Sequence, residues 1–218
     1  MSSVNVKICG LTTGSSVTTA VTAGADYLGF VFFSKSPRYL TFSQAADFAT
    51  LIPKNVIQVA LVVDPNNDLL TNMMKYVPID MIQLQGTETP QRVREVKELT
   101  RLPVMKAIGV SEPEDLDIID SYATVADQLL IDAKPPKGSI LPGGNGLAFD
   151  WGLMTGKTWD VPWMLAGGLN PENVTEAIKT TGTAQIDVSS GVERAPGDKD
   201  PDKVTRFIQN AKRSHQTT

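Results

Sequence analysis

Residues 163–191 read WMLAGGLNPENVTEAIKTTGTAQIDVSSG and hold one complete strand–helix–strand unit. Residues 163–166 are a short apolar run of strand length, closed by Gly167–Gly168. Asn170–Pro171 then opens a stretch with helical spacing, 172–179, with proline suited to the first turn. Residues 185–189, QIDVS, carry the β-branched Ile186 and Val188 at alternate positions, so a second strand follows. Two strands joined through a helix run parallel.

Working outward, the same alternation fills the chain. Further strands are expected at 4–9, 27–33, 56–63, 81–85, 103–109 and 128–133. Helices are expected at 15–23, 44–51, 68–76, 91–99, 112–121, 149–156 and 202–212. Start signals precede several of them, namely Ser43, Asn66, Thr89–Pro90, Ser111 with Pro113, and Asp200–Pro201. Eight units in 218 residues leave about 27 residues each, near the minimum for a βαβ step. The expected fold is therefore α/β, a closed (β/α)8 TIM barrel formed as one domain over 1–212, with a polar tail at 213–218 that should fray. An open doubly wound sheet is the alternative, but the G-x-G-x-x-G fingerprint is missing after the first strand. The loop 133–148, AKPPKGSILPGGNGLA, is too long for a connector and is expected to act as a lid.

Composition narrows the function. One Cys and one His exclude a disulfide framework, Cys/His zinc sites and a serine triad built on a well-placed His. A net charge of −4 argues against binding nucleic acid. The start, MSSVNVKICG, lacks the pattern of a signal peptide, and the longest apolar runs are far short of a membrane span. The expected setting is cytoplasmic, without membrane or nucleic-acid partners. A closed barrel leaves no free sheet edge, so a monomer is expected.

In such a barrel, chemistry sits at the C-terminal ends of the strands. Gly167–Gly168 permits close backbone approach, and Ser189, Ser190 and Gly191 offer hydroxyl and N–H groups. Loops after the seventh and eighth strands are where these barrels hold phosphate. The plainer alternative is two ordinary turns. No Lys or Arg lies inside either motif, so binding would rest on backbone donors and a short helix end, worth roughly 0.3–2 kcal/mol. Cys9 has two readings, a small buried hydrophobe or a base. Period-two parity puts Asn5, Lys7 and Cys9 on one face and Val4, Val6 and Ile8 on the other, so Cys9 should stand at the inner rim. A depressed pKa would make it a usable base.

Asp132 is either a loop cap or ion-pair partner of Lys134, or a mouth acid whose pKa is raised by apolar surroundings. Lys7 and Asp187 should pair inside the closed barrel. Arg38, on the turn SKSPRY at 34–39, is either a solvated loop residue or a bidentate carboxylate clamp. Trp151, Trp159 and Trp163 should cover the outside, and Met73 and Met74 should pack helices. His215, in the tail, has no expected role.

Taken together, VKICGLT (6–12), GADYLGFVF (24–32), SPRY (36–39), QLQG (83–86), LID (130–132), PGGNG (142–146), FDW (149–151), GGLNPENV (167–174) and DVSSGVE (187–193) resemble the phosphoribosylanthranilate isomerase family over essentially the whole chain. The resemblance implies an Amadori rearrangement of N-(5-phosphoribosyl)anthranilate to 1-(2-carboxyphenylamino)-1-deoxyribulose 5-phosphate in tryptophan biosynthesis. It implies Cys9 as general base, Asp132 as general acid and Arg38 as holder of the anthranilate carboxylate. Gly167, Gly168, Asp187, Ser189, Ser190 and Gly191 complete the expected substrate-binding set, with phosphate on the two loops. Acid–base chemistry alone suffices for this reaction, so no metal or cofactor is expected. Two positions depart from the family pattern. Gln85 replaces the common His of QLHG, and Leu147 with Ala148 replaces the polar pair of the lid motif. Another phosphosugar isomerase, typically using two carboxylates, and a non-catalytic phosphometabolite-binding barrel are the alternatives.

Overall fold

A computed structural model describes residues 4–135, 138–139, 141–144, 146 and 148–214. Eight parallel strands close into one barrel in sequence order: β1 (Asn5–Cys9), β2 (Tyr27–Val31), β3 (Ile57–Val62), β4 (Met81–Leu84), β5 (Val104–Val110), β6 (Gln128–Ala133), β7 (Trp163–Leu165) and β8 (Gln185–Val188). Each expected strand is present to within two residues at either end. The closing pair aligns Lys7 with Asp187, and β5 and β6 align Gly109 with Asp132.

Strand parity sorts the core into two clusters. Tyr27, Val59, Met81, Met105, Leu130 and Met164 fill the barrel. Val4, Val6, Ile8 and their counterparts face the helices, with Trp151, Trp159 and Trp163 packed on that outer layer. The outer ring consists of α1 (Gly14–Ala23), α2 (Phe42–Ala49), α3 (Asn67–Tyr76), α4 (Pro90–Thr100), α5 (Ile119–Ala123), α6 (Val174–Thr181) and α7 (Pro201–Arg213). The caps of α3, α4 and α7 are Asn66, Thr89 and Asp200, as their sequences direct.

Several expectations need correction. The start of α2 is set by Thr41 and Gln44 as a capping box, not by Ser43. The start of α6 moves to Val174 because Asn170 and Asn173 bond each other's backbone first. The helix expected at 112–121 is broken into a 3-10 turn, Pro113–Leu116, and the short α5. Asp115 accepts from the N–H groups of Ser111 and Glu112 and so competes with helix formation. The helix expected at 149–156 is one 3-10 turn, Trp151–Met154, started by Asp150. Met73 is buried, but Met74 is exposed. Arg213 belongs to α7 and Ser214 is buried, so the tail does not begin at 213. Residues 215–218, with His215, lie outside the described residues, as does Leu147. A small hairpin, β9 (Glu193–Ala195) with β10 (Asp198–Lys199), follows β8 and was not expected.

Candidate active site

At the C-terminal end of the barrel lie two pockets with empty volumes of about 430 and 490 Å³. Both are walled by Asp132, Gly144, Asp187 and Ser189, so they form one cleft. One side holds Gly167, Gly168, Ser190 and Gly191; the other holds Cys9, Arg38, Gln83 and Gln85. Every residue singled out from the sequence as catalytic or substrate-binding is therefore on this cleft. The loop after β6 also reaches it, through Leu141, Pro142, Gly143 and Gly144.

On the glycine side, Gly167 and Gly168 take φ values of 83° and 67°, which only glycine adopts without strain. A side chain on Gly191 would collide with the carbonyl of Leu169, so the two loops pack directly on each other. The short inward helix expected after β8 is a single 3-10 turn, Ser190–Val192. The cation missing from both motifs is supplied from β10. The Lys199 ammonium donates to the Ser189 carbonyl at 3.0 Å and to Glu193 at 2.6 Å. Burial pulls the pKa of Lys199 down, although Glu193 opposes this.

On the opposite side, Arg38 is buried rather than solvated. Its Nε and Nη2 donate to the two Glu193 oxygens, both at 2.8 Å. Burial would raise Glu193, but Arg38 and Lys199 outweigh it and hold the carboxyl below its usual range. One edge of the guanidinium is thus committed. Nη1 has no acceptor among the described residues and stands beside Gly144. Neither Glu193 nor Lys199 was assigned a role from sequence. Glu193 lay within the DVSSGVE motif, but Lys199 carried no local signal.

Cys9 and Asp132 are both governed by charge and burial. Lys7 is fully buried and donates to Asp187 at 2.9 Å, the pairing expected from closure of the barrel. Burial would lower Lys7, but Asp187 and Cys9 more than compensate, so it stays cationic. Burial, reinforced by the Asp187 carboxylate, pushes Asp132 up to about 7, against donors from Ala133 and Gln85 and the charge of Lys7. Asp132 is half-buried, and it does not pair with Lys134, which binds Asp115 instead. Burial also raises the Cys9 thiol, and Asp187 adds to this; Lys7 and Lys199 pull the other way without prevailing. The depressed thiol considered from sequence is therefore not what the structure shows. Among the described residues no group of three or more His, Cys, Asp or Glu is placed to hold a metal. Nor is any helix there long and apolar enough to cross a membrane.

A closed parallel barrel with a protonatable carboxyl and a thiol at its C-terminal mouth, beside glycine loops, defines a (β/α)8 enzyme of the acid–base kind. The family model of N-(5'-phosphoribosyl)anthranilate isomerase matches residues 6–210. The chain belongs to that family and is an isomerase. It is 58% identical over 208 residues to the N-(5'-phosphoribosyl)anthranilate isomerase of Paracoccus denitrificans, covering 95% of this chain and 97% of that one. Among solved structures it resembles the phosphoribosylanthranilate isomerase of Thermotoga maritima, with TM-score 0.85, 36% identity and coverage of 96% and 98%. It also resembles such an isomerase in complex with reduced 1-(o-carboxyphenylamino)-1-deoxyribulose 5-phosphate, with TM-score 0.81, 35% identity and the same coverage.

Proposed function

We propose that this chain converts N-(5-phosphoribosyl)anthranilate to 1-(2-carboxyphenylamino)-1-deoxyribulose 5-phosphate, a step of tryptophan biosynthesis, with Asp132 as general acid and Cys9 as general base. The observation that carries this reading is the single cleft holding a carboxyl titrating at about 7, a thiol beside Lys7, and a guanidinium with one edge unengaged. Asp132 delivers its proton to the furanose ring oxygen, the C1–O bond breaks, and the amine lone pair forms an iminium. The iminium acidifies C2, whose proton passes to the Cys9 thiolate. The enolamine then gains a proton at C1 and loses one from the C2 hydroxyl to give the ketone. No redox step is involved.

Arg38, held by Glu193, presents its remaining edge to the anthranilate carboxylate. Gly167, Gly168, Ser189, Ser190 and Gly191 hold the phosphate, with the Lys199 charge beneath Ser189. Asp187 holds Lys7 in place and borders the bound sugar. Pro142, Gly143 and Gly144 of the loop after β6 border the bound substrate; the lid expected at 133–148 includes residues 136–137, 140, 145 and 147, which lie outside the described residues. The protein acts as a monomer in the cytoplasm, without membrane or nucleic-acid partners and without a metal or cofactor. Sedimentation at micromolar concentration tests the first point; a dimer would refute it.

The activity is tested by generating phosphoribosylanthranilate in situ and following its fluorescence. Decay must be faster with protein than without. A rate equal to the spontaneous one would sink the proposal.

A further inference from the structure

Gln85, where the family commonly has His, does not stand alone. Residues 81, 83 and 85 share the inner face of β4 and its extension. Gln83 Nε2 donates to Gln85 Oε1 at 2.6 Å, and Gln85 Nε2 donates to Asp132 Oδ2 at 3.3 Å. In this arrangement the Gln85 oxygen accepts from Gln83 and its NH2 end faces the carboxyl. The other carboxyl oxygen, Oδ1, accepts from the Ala133 N–H at 2.8 Å.

We infer that Gln83 and Gln85 form a directed amide relay that positions Asp132 and leaves Oδ2 as the oxygen that carries and delivers the proton. Gln85 touches the acid; Gln83 is a positioning residue that acts only through Gln85. This rests on the reading of Asp132 as general acid. Two further observations support it. Gln83 is buried, and its Oε1 has no hydrogen-bond partner among the described residues. An unpartnered buried carbonyl is costly, so an apolar residue would suit the barrel core better unless the N–H end is needed. In addition, a Cβ on Gly143 would lie 2.7 Å from Gln85 Nε2 and 2.8 Å from Asp132 Oδ2. The loop after β6 thus seats a residue without a side chain directly over the Gln85–Asp132 contact.

The charged and titratable groups facing Asp132 are Asp187 of β8 and Lys7 of β1, with Cys9 across the cleft. These stay in place in all variants below. Losing the Gln85 donor removes a bond that favours the carboxylate, so Asp132 should titrate higher. Losing Gln83 frees the Gln85 amide to turn its oxygen toward Asp132, which also favours the protonated form.

The test is carboxyl titration by carbon NMR of protein labelled at aspartate, with the Asp132 signal assigned by its loss in Asp132→Asn. Gln85→Met should raise the Asp132 midpoint by about one pH unit. Gln83→Met should raise it by a smaller amount in the same direction, with thermal stability unchanged or higher. Gly143→Ala wedges the pair apart from the loop, away from the barrel core, and should raise it too, which keeps the test open if a core variant does not fold. An Asp132 midpoint unchanged in Gln83→Met would overturn the relay, as would an unchanged midpoint in Gly143→Ala. Turnover near normal in Asp132→Asn would instead overturn the general-acid reading, and the titration shifts would still report on the relay.

Discussion

Two buried lysines stand on barrel strands, each paired with a carboxylate, and the two pairs are not equivalent. Lys106, on the outer face of β5, donates to Glu88 at 2.7 Å and to the carbonyls of Gly86 at 2.7 Å and Leu84 at 3.3 Å. Glu88 in turn accepts from the N–H groups of Asp64 and Gly86, and Tyr122 packs its ring near the ammonium. Every charge there is surrounded by partners, and the pair pins the loops after β3 and β4. Lys7, on the inner face of β1, has Asp187 as its one close carboxylate, and its field also falls on Cys9 and Asp132. A saturated buried pair is structural, whereas one with charge left over sets the protonation of its neighbours.

The largest expected effect breaks the outer pair. Lys106→Met should cost about 3–5 kcal/mol of stability by leaving Glu88 buried and unpaired, while folded enzyme at low temperature turns over normally. Denaturant unfolding beside the activity assay checks both halves. Next, Cys9→Ala and Asp132→Asn should each lower kcat by about 100-fold or more with the fold intact; near-normal turnover in either variant refutes that residue's role. Lys7→Met shares the stability cost of the outer variant but should also lower turnover by about tenfold, because the thiol loses a cation that opposes its upward shift. Wild-type turnover in Lys7→Met would erase the distinction between the pairs.

The pH profile sharpens it. In the proposed mechanism the reactive form has Asp132 protonated and Cys9 ionised. With Asp132 at about 7 and the thiol above its ordinary 9.0, that form gains with pH up to about 7 as the thiol ionises. Between the two values the gain in thiolate is offset by loss of the Asp132 proton, and above the thiol's value activity falls. Thus kcat/KM, corrected for phosphate ionisation near pH 6, should be level from about 7 to beyond 9. A steep fall within that range would contradict the assignment. The smallest effect is that of Arg38→Ala, which should raise KM by about tenfold with kcat less affected, as for a binding anchor.

Much of this site was legible in the residues. Cys9 and Asp132 could be placed because strand parity and the rule of the barrel mouth are local properties, and Gly167–Gly168 and Ser189–Gly191 announce turns. The roles of Glu193 and Lys199 were not legible. Arg38 meets Glu193 across 155 positions, and Lys199 reaches Ser189 only because the β9–β10 hairpin brings it back to the loop after β8. The broken helix at 112–121 was missed for a similar reason: Asp115 satisfies the backbone that the periodicity assigned to a helix.

The chain by itself determined a parallel barrel and which strand ends line the cleft, because alternation with period two and helical spacing are written residue by residue. Protonation was decided only by tertiary closure. When β1 meets β8, Lys7 and Asp187 are brought together from 180 positions apart, and their charges act on groups that burial has already desolvated in part. That enclosure raises Asp132 to about 7 and lifts the thiol above its ordinary value, a result no local pattern contains.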